Sequence, residues 1–465
     1  MAIRFTNTLS RQLEEFKPLR ADHVGLYTCG PTVHDYAHIG NFRTYVFEDL
    51  LKRYLKFSGF RVIHVMNITD VDDKTIRKSR EKGVSLNEYT QTYKEAFFDD
   101  LDALGIERAD HYPEATALVE DMVELVKKLK EKGMAYEAGG DYYFPIAKFR
   151  DYGKLSHIDL EGLKPGARVA SDEYEKESVS DFALWKAWDQ SDGDVYWETD
   201  LGKGRPGWHL ECSVMSQKYL GESFDIHCGG VDNIFPHHEN EIAQSEAVSG
   251  KQFVKYWLHS EHLIVDGRKM AKSFHNFYTL RDIIDKGYPA LAVRYALLAT
   301  HYRQQLNFTF EGLEAARHAL ERYNDFYNNL SDYSGGESSG EAAGIIDRML
   351  ERFRENLDDD LNISPALGAV FDFIRDINRL KAENKLSAEE KKSALEAVDK
   401  IDTVLNLRRR EEVILDEEIE GMIRKRTEAR KNRDFATADQ IRDDLLEKGI
   451  ILEDSPDGTK WKKKI

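Results

Sequence analysis

Two short clusters far apart in the chain carry the residue types that handle phosphates. His38-Ile39-Gly40-Asn41 sets an imidazole, a carboxamide and a glycine just after an apolar segment, and Lys269-Met270-Ala271-Lys272-Ser273 sets two ammonium groups and a hydroxyl within five residues. Backbone amides at a helix start and lysines on a loop are the groups that bind a nucleoside triphosphate. A bare Lys-x-x-Lys, by contrast, is usually just solvated. Between the clusters lie Cys212 and the run Pro236-His237-His238-Glu239-Asn240-Glu241, and Cys29 precedes them. His237 and Glu241 have the i, i+4 spacing that a helix turns toward one point. Two thiolates, an imidazole and a carboxylate suit zinc best. No Cys-x-x-Cys pair is present, so spacing alone argues weakly for a metal, and a buried inert thiol is the plain alternative for each cysteine. Cys228 is expected to be a packed thiol. His34-Asp35-Tyr36-Ala37-His38 also has the spacing of a zinc-hydrolase helix. It carries Asp where such enzymes use Glu, and Gly30-Pro31 stands where the preceding helix should run.

These residues need a scaffold, and the flanking pattern suggests one. Gly25-Leu26-Tyr27-Thr28-Cys29 reads as a short buried strand ended by the turn Gly30-Pro31-Thr32. From Asn41 the apolar residues Tyr45, Val46, Leu50, Leu51, Tyr54 and Leu55 keep helical spacing, Ser58-Gly59 stops them, and Phe60 to Met66 resumes an extended pattern. Strand, helix, strand implies a parallel pair with a right-handed crossover, and ligands of such sheets lie at the carboxyl ends of the strands, where Cys29 and His38 fall. Gly207 to Cys212 opens a second helical run, Phe224-Asp225-Ile226-His227 is strand-like, and Gly229-Gly230-Val231-Asp232 is a turn suited to a phosphate or ribose. Tyr142, Tyr143, Phe144, Trp185 and Trp188 mark a polar, aromatic insertion, and long amphipathic helices follow Phe310.

At 465 residues and 41% apolar composition the chain can form three or more folding units. Nothing at Met1-Ala2-Ile3-Arg4 reads as a signal peptide, and no apolar run reaches the roughly 18 residues of a membrane span. A cytoplasmic protein with no membrane partner is expected, in which three cysteines serve metal or chemistry before disulfides. The net charge of −18 opposes a broad electrostatic grip on nucleic acid. From Gly421 onward, however, Arg424, Lys425, Arg426, Arg430, Lys431, Arg433, Arg442, Lys448, Lys460, Lys462, Lys463 and Lys464 outnumber the acids. Phe435 and Trp461 interleave with these bases as stacking platforms, and Arg430, Asp439 and Asp454 offer donors and acceptors for unpaired bases. A solvated helix face explains the same run about as well.

Taken together, His38-Ile39-Gly40-Asn41 and Lys269 to Ser273 resemble the HIGH and KMSKS signatures of class I aminoacyl-tRNA synthetases, and the thiol-bearing middle resembles the cysteinyl family. The resemblance runs the length of the chain. Ala271 stands where the family motif has serine, which removes one hydroxyl contact and leaves both lysines. The resemblance implies an α/β fold with a Rossmann-like parallel-sheet catalytic core. That core occupies residues 1–116 and 206–260 and is split by an insertion at 117–205. A stem-contact region at 261–310, a helical bundle at 311–410 and an anticodon-binding domain at 411–465 follow. It implies that Cys29, Cys212, His237 and Glu241 match the family's zinc ligands one by one, for one Zn²⁺ per chain. His34, Trp208, His227 and His238 would line the amino-acid pocket. ATP with Mg²⁺ would be held by His38, Asn41, Gly229, Gly230, Asp232, Lys269, Lys272 and Ser273, of which His38, Lys269 and Lys272 would be catalytic.

The activity so implied is formation of cysteinyl-adenylate from L-cysteine and ATP, then transfer of cysteine to tRNA(Cys), by an enzyme expected to be a monomer. Zinc has a purpose there, because a cavity alone separates cysteine poorly from near-isosteric serine. Ala438 to Asp443 and Gly449 to Asp454 resemble the family's anticodon-binding domain. Ligases that pass activated cysteine to an amino sugar share this core, but a small amine needs no basic terminal unit. A tRNA-binding paralogue without activity would not need the intact lysines and thiols.

Overall fold

The computed structural model describes residues 2–158, 181–274, 276–408, 416–431, 434–447, 450–455 and 458–463; the side chains of Lys272 and Asp454 lie outside the described set. Val24–Thr28 (β1) is buried along its whole length, as an apolar strand covered on both faces must be. Helix α1 (Ile39–Phe57) follows it. His38 is the N-cap, in a reciprocal box with Asn41, and the helix stops at Ser58, after which Gly59 takes φ +94°. The chain returns in β2 (Val62–Met66), parallel to β1 with Thr28 opposite Met66. Further on, α2 (Trp208–Leu220), β3 (Phe224–Gly230), α3 (Glu239–Ser249) and β4 (Val254–Ser260) complete a second half.

The four strands form one parallel sheet in the order β4-β3-β1-β2. Successive connections leave β1 in opposite directions, so the crevice between the carboxyl ends of β1 and β3 is a topological switch point, where open α/β sheets bind ligands. Cys29 begins just past β1, and Gly229-Gly230 closes β3.

The insertion is a five-stranded antiparallel sheet preceded by the helix Val119–Glu131. Its spatial order is Tyr136–Ala138, Asp141–Phe144, Phe182–Ala187, Gly202–Pro206, Trp197–Thr199. Phe144 and Trp185 are fully buried in it and share one apolar cluster with Tyr27, Leu210 and Trp257 of the parallel core. The strand Gly202–Pro206 extends through Pro206, which pairs with Trp185, and Gly207 then caps α2.

Four long helices, Phe310–Ser331, Glu341–Asp358, Ile363–Ala382 and Ala388–Leu405, form the expected bundle. Its apolar residues are continuous with α1: Leu51, Tyr54 and Leu55 share a cluster with Leu320, Phe353 and Ile401. A buried cation crosses this seam. The Arg294 guanidinium donates to Asp49 of α1 at 2.6 Å and to the Leu405 carbonyl at 2.9 Å.

The terminal unit has the helices Asp416–Lys431 and Phe435–Glu447 and an antiparallel hairpin, Ile450–Ser455 with Gly458–Lys463. Ile423, Leu445 and Ile450 form its core. Hairpin register sets Trp461 opposite Leu452, where it packs half-buried onto this core.

Candidate active site and metal cluster

The two phosphate-type clusters meet in space. Tyr278 accepts the Ile39 amide at 3.0 Å, His38 bridges Thr279, and the His38 ring lies edge-on to Phe277 with centroids 5.1 Å apart. A Cβ on Gly40 would lie 2.9 Å from the His38 ring and 3.3 Å from Met270, so glycine there lets the lysine loop close over the start of α1. The ring is fixed as well: His38 Nδ1 accepts the Asn41 amide at 3.2 Å, and the Asn41 carboxamide accepts the His38 amide at 3.1 Å. A ring accepting at Nδ1 carries its proton on Nε2.

Lys269, Ser273 and Phe274 are exposed, with Phe274 at 60%. Sequence reading missed the residue that shapes this loop. Asn276 accepts the Ala271 amide at 2.9 Å and donates to the Lys269 carbonyl at 3.0 Å, a staple that a lone asparagine gives no reason to expect. At the end of β3, Asn233 accepts the Gly230 amide at 3.2 Å, and Asp232 is exposed beside it.

Cys29, Cys212, His237 and Glu241 do come together: one donor atom from each lies within 4.8 Å of the others. His237 belongs to a wide turn, Ile234–His238, and Glu241 to the first turn of α3, yet the i, i+4 relation holds and puts His237 Nε2 3.1 Å from Glu241 Oε1. His227 and His238 also converge with Cys29 and Glu241 inside 4.8 Å. His227 Nε2 lies 2.9 Å from Glu241 Oε2, and His238 Nε2 lies 3.2 Å from Cys29 Sγ. Trp208 stacks on His237 with ring centroids 4.0 Å apart, and Trp257 stacks on His227 at 4.6 Å. His34 bonds its own turn, Nδ1 to the Thr32 carbonyl at 3.1 Å, while its carbonyl accepts Lys78 and Tyr89.

Burial dominates the electrostatics. It pushes the Glu241 carboxyl and the Cys212 thiol up, and the hydrogen bond with Cys212, reinforced by burial, pushes Cys29 up. Burial likewise drives His237 and His238 well below the usual imidazole range and His209, His227 and His259 down to about 3. The donor set fits a divalent cation. His237 Nδ1 lies 2.9 Å from His209 Nδ1; in the tautomer with the proton on His237 Nδ1, Nε2 offers its lone pair on the side of the fully buried Glu241 Oε1. An imidazole and a carboxylate facing each other beside two thiols make a donor set that a thiophilic ion satisfies.

His209 and His259 are two members of this cluster that sequence reading passed over. The available signal was register: β4 pairs in parallel with β3, so His259 stands beside Gly229 at the same carboxyl end. Cys228 is buried in the apolar core, as expected. In the terminal unit Phe435 is 61% exposed, Arg430 is exposed, and Asp439 faces Arg442 at 3.6 Å; Asp454 pairs with Thr459 in the hairpin.

A family model of the class I (C) catalytic domain of tRNA synthetases matches residues 15–318, one of the DALR domain matches 352–407, and one of the cysteinyl-tRNA ligase anticodon binding domain matches 414–461. The chain is 51% identical over 469 residues to the cysteine–tRNA ligase of Protochlamydia amoebophila (strain UWE25), covering 99% of this chain and 98% of that protein. It is 52% identical over 464 residues to that of Chlamydia pneumoniae, covering 98% of each. Among solved structures, Mycobacterium tuberculosis methionyl-tRNA synthetase in complex with methionyl-adenylate is similar at TM-score 0.59 over 83% of this chain and 90% of that one. With 15% identity, that likeness is one of fold.

Proposed function

The chain belongs to the cysteine–tRNA ligase family of class I aminoacyl-tRNA synthetases, enzymes that charge tRNA with cysteine, and from that premise we propose a two-step reaction in which zinc selects the substrate thiol. In the first step an oxygen of the cysteine carboxylate attacks the α-phosphorus of ATP in line, the bond to the bridging oxygen breaks, and pyrophosphate leaves. In the second a hydroxyl of the 3′-terminal adenosine of tRNA(Cys) attacks the cysteinyl carbonyl and AMP leaves.

The chain's own residues act chiefly by position and charge. His38, accepting at Nδ1, presents Nε2–H as a donor to phosphate oxygen at the positive end of the α1 dipole. Lys269 and Lys272 neutralise charge that develops on the phosphoryl oxygens and the leaving pyrophosphate, with Mg²⁺ accompanying ATP and Ser273 on the same loop. Asn41 holds the His38 ring in register. Gly229, Gly230 and Asp232 would take the adenosine ribose at the carboxyl end of β3.

Cys29, Cys212, His237 and Glu241 would hold the zinc, which supplies when bound a soft Lewis acid for the cysteine thiolate that a serine hydroxyl matches poorly. Trp208, His227 and His238 wall that end of the pocket and keep water out, and the same reading assigns His34 to its rim. In the terminal unit Arg430, Phe435, Asp439 and Asp454 would read the anticodon, with residues 261–310 against the acceptor stem.

The observation that carries this reading is the convergence of four soft and borderline donors at the switch point, next to the helix start on which the lysine loop closes. Cysteine-dependent ATP–pyrophosphate exchange, followed by charging of total tRNA, tests it. Exchange and charging with cysteine are expected; exchange without charging would turn the reading toward a ligase for a small amine.

A further inference from the structure

The N-terminal hairpin, strands Arg4–Asn7 and Gln12–Glu15, plays no part in the chemistry described so far. Its turn nevertheless touches the thiol end of the site. Thr8 Oγ1 lies 2.8 Å from His259 Nδ1, His259 Nε2 lies 2.8 Å from His238 Nδ1, and His238 Nε2 lies 3.2 Å from Cys29 Sγ. Each contact uses a different ring nitrogen, so the polarity of one bond fixes all the others. If Cys29 ligates a metal as thiolate, its sulfur can only accept. His238 must then donate from Nε2 and accept at Nδ1, and His259 must donate from Nε2 and accept at Nδ1. Thr8 must donate its O–H. A threonine hydroxyl can fill that terminal place, and it can do so without adding charge.

The hairpin is held firmly enough for this. The Thr8 amide donates to the Trp257 carbonyl at 2.8 Å, and Asn7 bonds the Trp257 amide and the Lys255 carbonyl of β4 at 3.0 Å each. Asp360, at the start of the bundle's third helix, accepts both the amide and the hydroxyl of Thr6, at 2.8 and 2.7 Å. Asp360 and the next residue, Leu361, both take left-handed backbone, φ +58° and +56°. A bulky side chain adopts that conformation only where its surroundings enforce it. Thr8 itself lines a surface cavity of about 300 Å³ with Arg11, Ser156, His157 and Arg303, so the residue is within reach of water on one side and of His259 on the other.

We propose that Thr8 is a positioning residue of the metal site: its hydroxyl sets the tautomers of His259 and His238 so that an imidazole N–H is held on the Cys29 sulfur. The proposal rests on the metal reading above. Outer partners of this kind orient a ligand and tune its donor strength, and losing one commonly costs about 10- to 100-fold in metal affinity or activity.

The test uses full-length enzyme with its zinc content measured, in the wild type and in Thr8→Val, Thr8→Ala and Thr8→Ser. Thr8→Val keeps the shape of the side chain and removes the donor; Thr8→Ala removes the same donor without apolar bulk, should the first variant fold poorly. Both are expected to lose zinc to a chelator about tenfold faster than wild type and to raise the KM for cysteine about tenfold in pyrophosphate exchange. The KM for ATP should stay within about twofold. The thiolate-to-metal absorption band of the cobalt-substituted enzyme should shift in both, and Thr8→Ser should restore every readout. Unchanged chelation rates and an unchanged cobalt band in both donor-less variants would overturn the proposal, as would a Thr8→Ser variant as impaired as Thr8→Val. Those failures concern Thr8 alone. A wild type that binds no metal would instead sink the metal site and this inference with it.

Discussion

The thiol cluster and the lysine loop, the two parts of the proposed reaction site, are built in opposite ways. Cys212, His237, His238 and Glu241 are at most 2% exposed, every ring among them stacks or bonds to another, and α2, α3, β3 and β4 all contribute. Lys269 and Ser273 project from an exposed loop that the Asn276 side chain staples at two backbone atoms. Discrimination between sulfur and oxygen needs a fixed set of donors, because a misplacement of tenths of an ångström changes what a metal will accept. Neutralising charge on a transferring phosphoryl group needs contacts that strengthen in the transition state, and an exposed loop can supply them after substrate arrives. The two parts should therefore fail differently.

The largest effect is expected in the rigid part. Cys212→Ser should lose stoichiometric zinc and cysteine activation together, since a hydroxyl replaces a soft anionic ligand. Metal analysis alongside pyrophosphate exchange checks it; a variant with full zinc and normal exchange would make Cys212 a packing thiol.

Lys272→Ala should keep zinc and fold and slow adenylate formation by on the order of 10²-fold, with cysteine binding little changed. Rapid-quench measurement of cysteinyl-adenylate reads the step directly. A rate within a few-fold of wild type would remove the lysine loop from the chemistry.

The scaffold should behave as a third case. Burial alone would raise the Asp49 carboxyl, but Arg294 and Arg53 beside it hold it below the usual carboxylate range. A depressed carboxylate stabilises the fold above the unfolded value of about 3.9 and loses that contribution as pH falls through the folded value. Asp49→Asn leaves the buried Arg294 uncompensated and should cost about 3–5 kcal/mol near neutral pH. The gap to wild type should shrink below about pH 4. Denaturant unfolding across pH measures both, while the folded variant should keep zinc and thus leave the thiol cluster intact.

The smallest effect on activation is expected from removing the terminal unit. The cut belongs after Arg408, because Leu407 is 1% exposed in the main core and its amide donates to Asp402 at 2.9 Å. Exchange should stay within about twofold of the full chain while tRNA charging collapses, as base contacts and phosphate attraction leave with the removed piece. Equal charging by both forms would take the anticodon role from that unit.

Much of this was legible in the sequence, for reasons that differ by residue. Cys29 could be set at a strand end, and His38 near the helix start beyond it, because a buried strand, a turn and a helical period follow one another there. His237 and Glu241 could be paired because helical spacing survives the change from a wide turn to α3. Gly202 to Pro206 was harder: the strand has no apolar alternation and is held by pairing on both sides, with Phe182–Ala187 and with Trp197–Thr199. His209 and His259 look like ordinary core histidines until register and tautomer link them to their neighbours. Trp461 and Phe435 could not be told apart by composition, and hairpin pairing left the first half-buried against the small core while the second remained on the surface.

Cysteine-to-serine selectivity before and after metal removal tests the central claim most directly. Pyrophosphate exchange would be measured with each amino acid on zinc-loaded enzyme, on chelated enzyme and on enzyme with zinc restored. The account predicts that chelation abolishes the preference for cysteine, that zinc brings it back, and that exchange with serine stays at its low level throughout. A chelated enzyme that is metal-free by analysis, folded, and as selective for cysteine as the loaded form would contradict it.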